Sequence, residues 1–90
     1  MSKRTNITWN NYLAVAYAEG FAEGLDATQE EQIEAWAYII EHNLAPGLQG
    51  WFGKATKTLI QQGIISNKGV INWEKLDVIE GRAEPKEEEE

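Results

Sequence analysis

Apolar side chains recur close to every 3.6 residues in three stretches of this chain, and turn-forming residues separate the stretches, which is typical of amphipathic helices. The first predicted helix runs from about Thr8 or Trp9 to Gly24, and the glycine is placed to stop it. Its apolar stripe comprises Trp9, Leu13, Ala16, Tyr17 and Gly20. The preceding residues, 1–7, are polar and are expected to form a flexible N-terminus.

The second predicted helix has the clearest start signal in the chain. Thr28 as N-cap, with Glu31 three residues later, forms a capping box, and Asn43 suits a left-handed C-cap. The stripe expected to be buried comprises Ile33, Trp36, Ala37, Ile40 and Leu44. The opposite flank carries Glu30, Glu34 and Glu41, and we expect it to face solvent.

The third predicted helix opens at Pro46 and ends at Gly63, after which Ile64 folds back onto its last turn. Within this helix, Gly50 and Gly53 each cost about 1 kcal/mol of helix stability relative to alanine. Close packing at the glycines or contact with a partner must offset this cost. One interpretation is that the missing side chains let another helix come close, with Trp36 or Tyr17 in the gap. The other is that a glycine breaks the helix and presents Trp51 outward as an interface anchor.

The C-terminal third is less regular. Residues 66–69, SNKG, are of the types that favour a turn. Asn72 is then predicted to cap a short helix from Trp73 to about Glu80, although GVINW is also compatible with a brief extended segment. The sequence therefore predicts an all-α fold, a compact bundle of three main helices plus a short C-terminal helix. The bundle is expected to form a single domain over residues 8–82, and a disordered acidic tail is expected at 83–90. Its core is expected to contain Trp9, Tyr17, Trp36, Ile40, Phe52, Ala55 and Leu59.

Charge is distributed unevenly along the 90 residues, whose formal net charge is -7. Residues 5–53 contain no Lys or Arg and seven acids, whereas residues 54–82 are mildly basic. Direct binding to nucleic acid or to an anionic membrane is disfavoured, because phosphate affinity needs a concentrated basic surface. The chain has no cysteine and no run long enough to span a bilayer, so we expect a cytoplasmic protein.

Candidate chemistry is sparse. His42 is the only histidine, and its place near a helix C-terminus has an ordinary role in complementing the helix dipole. We expect no enzyme, no metal site and no cofactor, because a nucleophile, base and acid could be assembled only around His42 and no metal-ligand spacing occurs. Two candidate binding sites remain: Gln49, Trp51 and Lys54 around the glycines, and the acidic flank of Glu30, Glu34 and Glu41. Together with Glu19, Glu23 and Asp26, the carboxylates of this flank could imitate the phosphates of DNA toward a basic host protein.

Residues 30–65, EEQIEAWAYIIEHNLAPGLQGWFGKATKTLIQQGII, resemble a group of small proteins encoded by tailed bacteriophages. That group shares an E-A-W-x-Y-L-I-like helix followed by L-Q-G-x-[YF]-G-[RK]-x-A-x-x-L-I-x-x-G. The matching residues here are Glu34, Ala35, Trp36, Tyr38, Ile40, Leu48, Gln49, Gly50, Phe52, Gly53, Lys54, Leu59, Ile60 and Gly63. The chain departs from the pattern at Ala45, Pro46 and Gly47 and around Thr56 and Thr58.

The resemblance implies a phage origin and action in the cytoplasm of an infected bacterium, but no site. Short early phage proteins often act by stoichiometric binding, so the expected partner is a bacterial host protein that this chain inhibits or modulates, such as a defence system or a nucleic-acid enzyme. The alternative is a self-assembling structural or morphogenesis protein, whose Trp51 surface would be covered in a homodimer.

Overall fold

The computed structural model describes residues 4–48 and 50–79 of the chain, with Ile79 described by its backbone alone. Four α-helices follow one another in this range: α1 (Asn11–Glu19), α2 (Gln29–Glu41), α3 (Gly50–Gln61) and α4 (Trp73–Ile79). Short 3-10 turns at Ala22–Gly24 and Ala45–Gly47 precede α2 and α3. The predicted all-α bundle is confirmed, whereas the predicted acidic tail at 83–90 lies outside the described residues.

Helix α1 is shorter than its apolar pattern predicts. The Asn10 side chain accepts a hydrogen bond from Leu13 N at 2.8 Å and caps the start. Gly20 takes the left-handed conformation, with φ 78°, and ends the helix. The prediction that Gly24 stops it is therefore wrong. Gly24 instead lets the next turn lie against α1, because a Cβ there would overlap the backbone of Ala16 and Tyr17.

Helix α2 begins at the predicted capping box. Glu31 N donates to Thr28 Oγ1 at 3.2 Å, and Thr28 N donates to Glu31 Oε1 at 2.8 Å. Asn43 follows the helix with φ 54°, as expected for a left-handed residue at a helix end. Both local predictions are confirmed.

Helix α3 begins later than predicted. Pro46 lies in the 3-10 turn Ala45–Gly47 and not in the helix, which starts at Gly50. The predicted end is confirmed: Gly63 has φ 75°, and buried Ile64 donates its N–H to the Leu59 carbonyl at 3.1 Å. This pattern satisfies carbonyls that the helix itself leaves unbonded.

The connection to α4 combines both alternatives that the sequence leaves open. A turn at residues 66–69 is closed by Ser66 N donating to Val70 O at 2.8 Å, and an isolated antiparallel bridge then pairs Ile71 with Ile65. The Asn72 side chain accepts from Lys75 N at 3.1 Å and caps α4. The segment is thus extended at Ile71 and helical from Trp73.

Alanines and branched aliphatic residues, more than aromatic ones, form the centre of the bundle. Two buried clusters are present, one of Ala14, Ala18, Ala35, Ile39 and Phe52 and the other of Ile33, Ala37, Ile64, Ile65, Ile71 and Leu76. Of the predicted core, Phe52 is fully buried, and the partly buried remainder is Trp9, Tyr17, Trp36, Ile40, Ala55 and Leu59. The alanines let the α1 and α2 backbones approach closely, so the larger rings cover the edges of the contact.

Candidate functional site

Glu34 is not part of an exposed acidic flank, so its predicted role as a surface contact is wrong. The residue is 0% exposed, and its carboxylate accepts four hydrogen bonds from the segment that precedes α1. Thr5 Oγ1 and Trp9 Nε1 donate to Oε1 at 2.6 and 3.1 Å. Thr5 N, at 2.8 Å, and Arg4 N donate to Oε2. The N-terminal segment lies across α2 at this position, which the periodicity of α2 alone does not reveal.

Two opposing effects act on the pKa of Glu34. Burial favours the neutral acid and raises the pKa, but the hydrogen bonds from Thr5, Arg4 and Trp9 favour the carboxylate and leave the pKa below its ordinary value. Glu34 is therefore a negatively charged internal acceptor, and it holds the N-terminal segment on the bundle.

Glu30 is occupied by an intramolecular ion pair. The Arg4 guanidinium lies 3.2 Å from Glu30 Oε2 and donates to both carboxylate oxygens of Asp77, at 3.1 and 2.9 Å, while stacking 4.5 Å above the Trp73 ring. These contacts join α2 to α4, and hydrogen bonding to Asp77 raises the pKa of Arg4. Arg4 and Thr5 belong to the segment predicted to be flexible, and in the structure both make side-chain contacts with the bundle.

Two further acids, Glu23 and Glu41, lie at the surface. Glu41, at the end of α2, is exposed as predicted. Glu23 accepts a hydrogen bond from the Tyr12 hydroxyl at 2.9 Å, and this bond raises the pKa of Tyr12. Of the three acids predicted to contact a partner, Glu34 is buried and Glu30 is ion-paired, which leaves Glu41 as the exposed member.

Trp51 lies at the start of α3, and its side chain is 44% exposed. Its ring centroid is 4.2 Å from that of Phe52 and 5.9 Å from that of Trp36, in tilted and edge-to-face arrangements. Since Phe52 is 1% exposed, the indole rests against the core with one side open to solvent. The outward presentation of Trp51 is thus observed.

The glycines beside Trp51 do not serve close helix packing. A Cβ at Gly50 or Gly53 would have no atom within 4 Å, so the interpretation that another helix fills this gap is wrong. Gly50 is the first residue of α3 and Gly53 lies in its first turns, so neither interrupts the helix. The two positions leave open space on the exposed side of α3.

The lysines of α3 complete this surface. Lys54 is exposed, as its assignment to a binding site requires, whereas Gln49 lies outside the described residues. Lys57 is exposed as well, although the residues predicted from the sequence for this surface do not include it. The signal that would have found it is the charge of the segment, because residues 50–61 contain two lysines and no acid in a chain of net charge -7.

His42 has a local role. Its Nδ1 lies 3.1 Å from the Tyr38 carbonyl oxygen, and its ring stacks on that of Tyr38 at a centroid distance of 3.9 Å. Over residues 4–48 and 50–79, no group of three or more His, Asp or Glu side chains is arranged to hold a metal ion. Nor does this part of the chain contain a helix of the length and apolarity that a bilayer crossing requires.

No protein-family model, curated protein or solved structure matches the chain. The resemblance to a phage family stays a prediction. The candidate site is defined by geometry: an exposed, internally supported Trp51 on a basic face of α3, here called the Trp51 face and comprising Gly50, Trp51, Gly53, Lys54 and Lys57.

Proposed function

We propose that this protein is a phage-type accessory protein that acts by stoichiometric binding to a bacterial host protein in the cytoplasm of an infected cell. It would inhibit or modulate that protein without performing catalysis. The observation that carries the proposal is the Trp51 indole, 44% exposed and supported from behind by Phe52 and Trp36.

A tryptophan in this setting is well suited to anchoring a protein interface. Tryptophan is among the residues most enriched at interface hot spots, where truncation typically costs about 2 kcal/mol or more of binding free energy. The contacts with Phe52 and Trp36 restrict the ring before any partner arrives, so less rotamer entropy is lost on binding. The open positions at Gly50 and Gly53 give a partner access to the face of α3 beside the ring.

Imitation of DNA by the acidic flank has less support. Such a mechanism needs a row of accessible carboxylates, but Glu34 is buried and Glu30 pairs with Arg4 at 3.2 Å. Glu41 is the exposed member of the flank, and the exposed Glu19, Glu23 and Asp26 lie outside α2, so they do not restore a row of carboxylates along that helix. Hydrophobic anchoring is therefore the mechanism that we propose.

The proposal is tested by affinity capture from bacterial lysate, with and without phage infection, using the intact chain and Trp51→Ala. Phe21→Ala is the matched control, because Phe21 is an exposed aromatic residue with 43% of its surface accessible against 44% for Trp51. We expect a host protein to be retained by the intact chain and by Phe21→Ala and lost by Trp51→Ala. Retention should persist at high salt, since burial of apolar surface is not screened by ions.

Three outcomes would contradict this proposal. Equal retention by Trp51→Ala and Phe21→Ala would show that Trp51 is not the anchor, and a steep loss of binding with salt that depends on Glu41 would favour the acidic mechanism. Recovery of only this protein or of phage structural proteins, together with a concentration-dependent dimer in light scattering, would favour the self-assembling structural alternative.

A further inference from the structure

Helix α3 carries a charge opposite to that of the chain as a whole. Its residues, Gly50–Gln61, include Lys54 and Lys57 and no acid, although the chain has a formal net charge of -7. Both lysines are exposed. At about 100° per residue, Lys54 is turned about 60° from Trp51 around the helix axis, and Lys57 about 60° further. The anchor and the two charges thus lie on neighbouring parts of one surface.

The two lysines are available to a partner. Within the described parts of the chain, the structure gives neither of them an ion pair, in contrast to Arg4, which is held by Glu30 and Asp77. The nearby hydroxyls are already used, because Thr56 and Thr58 donate to the Gly53 and Lys54 carbonyls, each at 3.0 Å. Charged recognition on the Trp51 face therefore falls to the lysines.

We infer that the partner contacts the Trp51 face through an acidic protein segment that carries at least one apolar side chain. Its carboxylates would pair with Lys54 and Lys57, and its apolar side chain would lie beside Trp51. Gly50 and Gly53, which lie about 100° and 160° around the helix from Trp51 on the side of the lysines, leave room for the segment's backbone. The inference rests on the proposed function and deepens it by naming the class of partner surface. Along the helix the lysines are separated by a rise of about 4.5 Å, which lies within reach of carboxylates three or four residues apart on a partner helix.

A nucleic acid is the less suitable occupant of the same surface. Two lysines neutralise few phosphates, and the field of a chain with net charge -7 repels a polyanion at distances beyond the contact itself. A protein segment can place a small number of carboxylates opposite the lysines and remain otherwise neutral or apolar.

The test uses a short fluorescein-labelled peptide in which glutamates flank a single leucine, with binding to the full chain followed by fluorescence anisotropy. A second peptide has glutamine in place of each glutamate, and a single-stranded oligothymidine represents nucleic acid. Measurements are made at low ionic strength and at about 0.15 M salt, where the Debye length is about 8 Å. The charge-reversed variant is Lys54→Glu with Lys57→Glu. Its matched control is Lys68→Glu with Lys75→Glu, which changes the net charge equally at other exposed lysines.

We expect the acidic peptide to bind about tenfold more tightly than the glutamine peptide at low ionic strength, and to lose this advantage in the Lys54 and Lys57 variant but not in its control. Circular dichroism should show unchanged helix content in both variants. Equal binding of the two peptides, an unaffected charge-reversed variant, no binding of the acidic peptide, or tighter binding of the oligothymidine would each overturn the inference.

The two proposals fail separately. If Trp51→Ala loses the captured host protein while the charge-reversed variant retains it, binding through Trp51 stands and the acidic partner does not. If the acidic peptide discriminates as expected but Trp51→Ala still captures the host protein, the lysines recognise acidic segments and the Trp51 anchor is wrong.

Discussion

Removing the Glu34 carboxylate tests how the segment before α1 is held on the bundle. In Glu34→Ala, the donors on Arg4, Thr5 and Trp9 lose their four hydrogen bonds to this side chain at once. At a net value of about 1 kcal/mol for each bond, the free energy of unfolding should fall by about 4 kcal/mol. A domain of this size has a total stability of about 5–15 kcal/mol, so the loss is a large share of it.

Glu34→Gln should be milder, and the geometry indicates why. A glutamine oxygen at the Oε2 position can still accept from Arg4 N and Thr5 N, and its amide group at the Oε1 position can donate to Thr5 Oγ1. The Trp9 indole N–H then faces another donor, so this one bond, which measures 3.1 Å, is lost. Together with the loss of the charge, we expect a decrease of about 1–2 kcal/mol.

Urea denaturation followed by tryptophan fluorescence and by far-ultraviolet circular dichroism measures both variants. Glu41→Gln is the matched control, because Glu41 lies on the same helix but is exposed, and its substitution should change stability by less than about 0.5 kcal/mol. The expected order of stability is the unchanged chain together with Glu41→Gln, then Glu34→Gln, then Glu34→Ala. If Glu34→Ala unfolds at the same urea concentration as the control, Glu34 does not hold the segment and the reasoning is refuted.

Three further predictions follow from the same contacts. Because the folded-state pKa of Glu34 is lowered, its contribution to stability is present above the ordinary glutamate pKa and is lost as pH falls below it. Acid should therefore lower the free energy of unfolding more in the unchanged chain than in Glu34→Gln. An equal dependence of the unfolding free energy on pH in the two proteins would count against this. Arg4→Lys keeps the charge but loses the two-pronged contact with Asp77. Relative to the unchanged chain, amide hydrogen exchange should therefore accelerate more in α4 than in α1, and an equal change in both helices would contradict the role of Arg4. Gly53→Ala should raise the free energy of unfolding by about 1 kcal/mol because its Cβ enters open space, whereas Gly24→Ala should lower it by about 1–3 kcal/mol through overlap with the α1 backbone; thermal melts that rank the two the other way would show that their surroundings are misassigned.

Local sequence signals predicted the ends of helices well. The capping box of Thr28 and Glu31, the left-handed Asn43, the end of α3 at Gly63 and the Asn72 cap all depend on bonds within a few residues. Because both partners of each contact are close in the sequence, residue type and spacing are sufficient to find them. Residue type alone did not show that Gly20 ends α1 and that Gly24 allows a close backbone contact, because glycine suits both roles.

The assignment of exposed and buried faces was less predictable. Glu34 lies on the polar flank of α2, yet residues about 25 to 30 positions earlier in the chain cover it. Glutamate is almost never fully buried without partners, and those partners come from a segment that carries no helical pattern of its own. Likewise, the aromatic residues looked like the core, but alanine contacts between α1 and α2 occupy its centre.

The amino-acid sequence by itself determined that the chain is helical, where α2 and α4 start, where α2 and α3 end, and how charge is divided along it, because these properties depend on residue types and on neighbours three or four residues away. Only the tertiary structure decided which of the candidate residues are exposed at the surface. It placed Glu34 inside, paired Glu30 with Arg4, and left Trp51, Lys54 and Lys57 on the surface. The physical reason is that exposure depends on what packs against a helix, and those contacts join residues that are distant in the sequence.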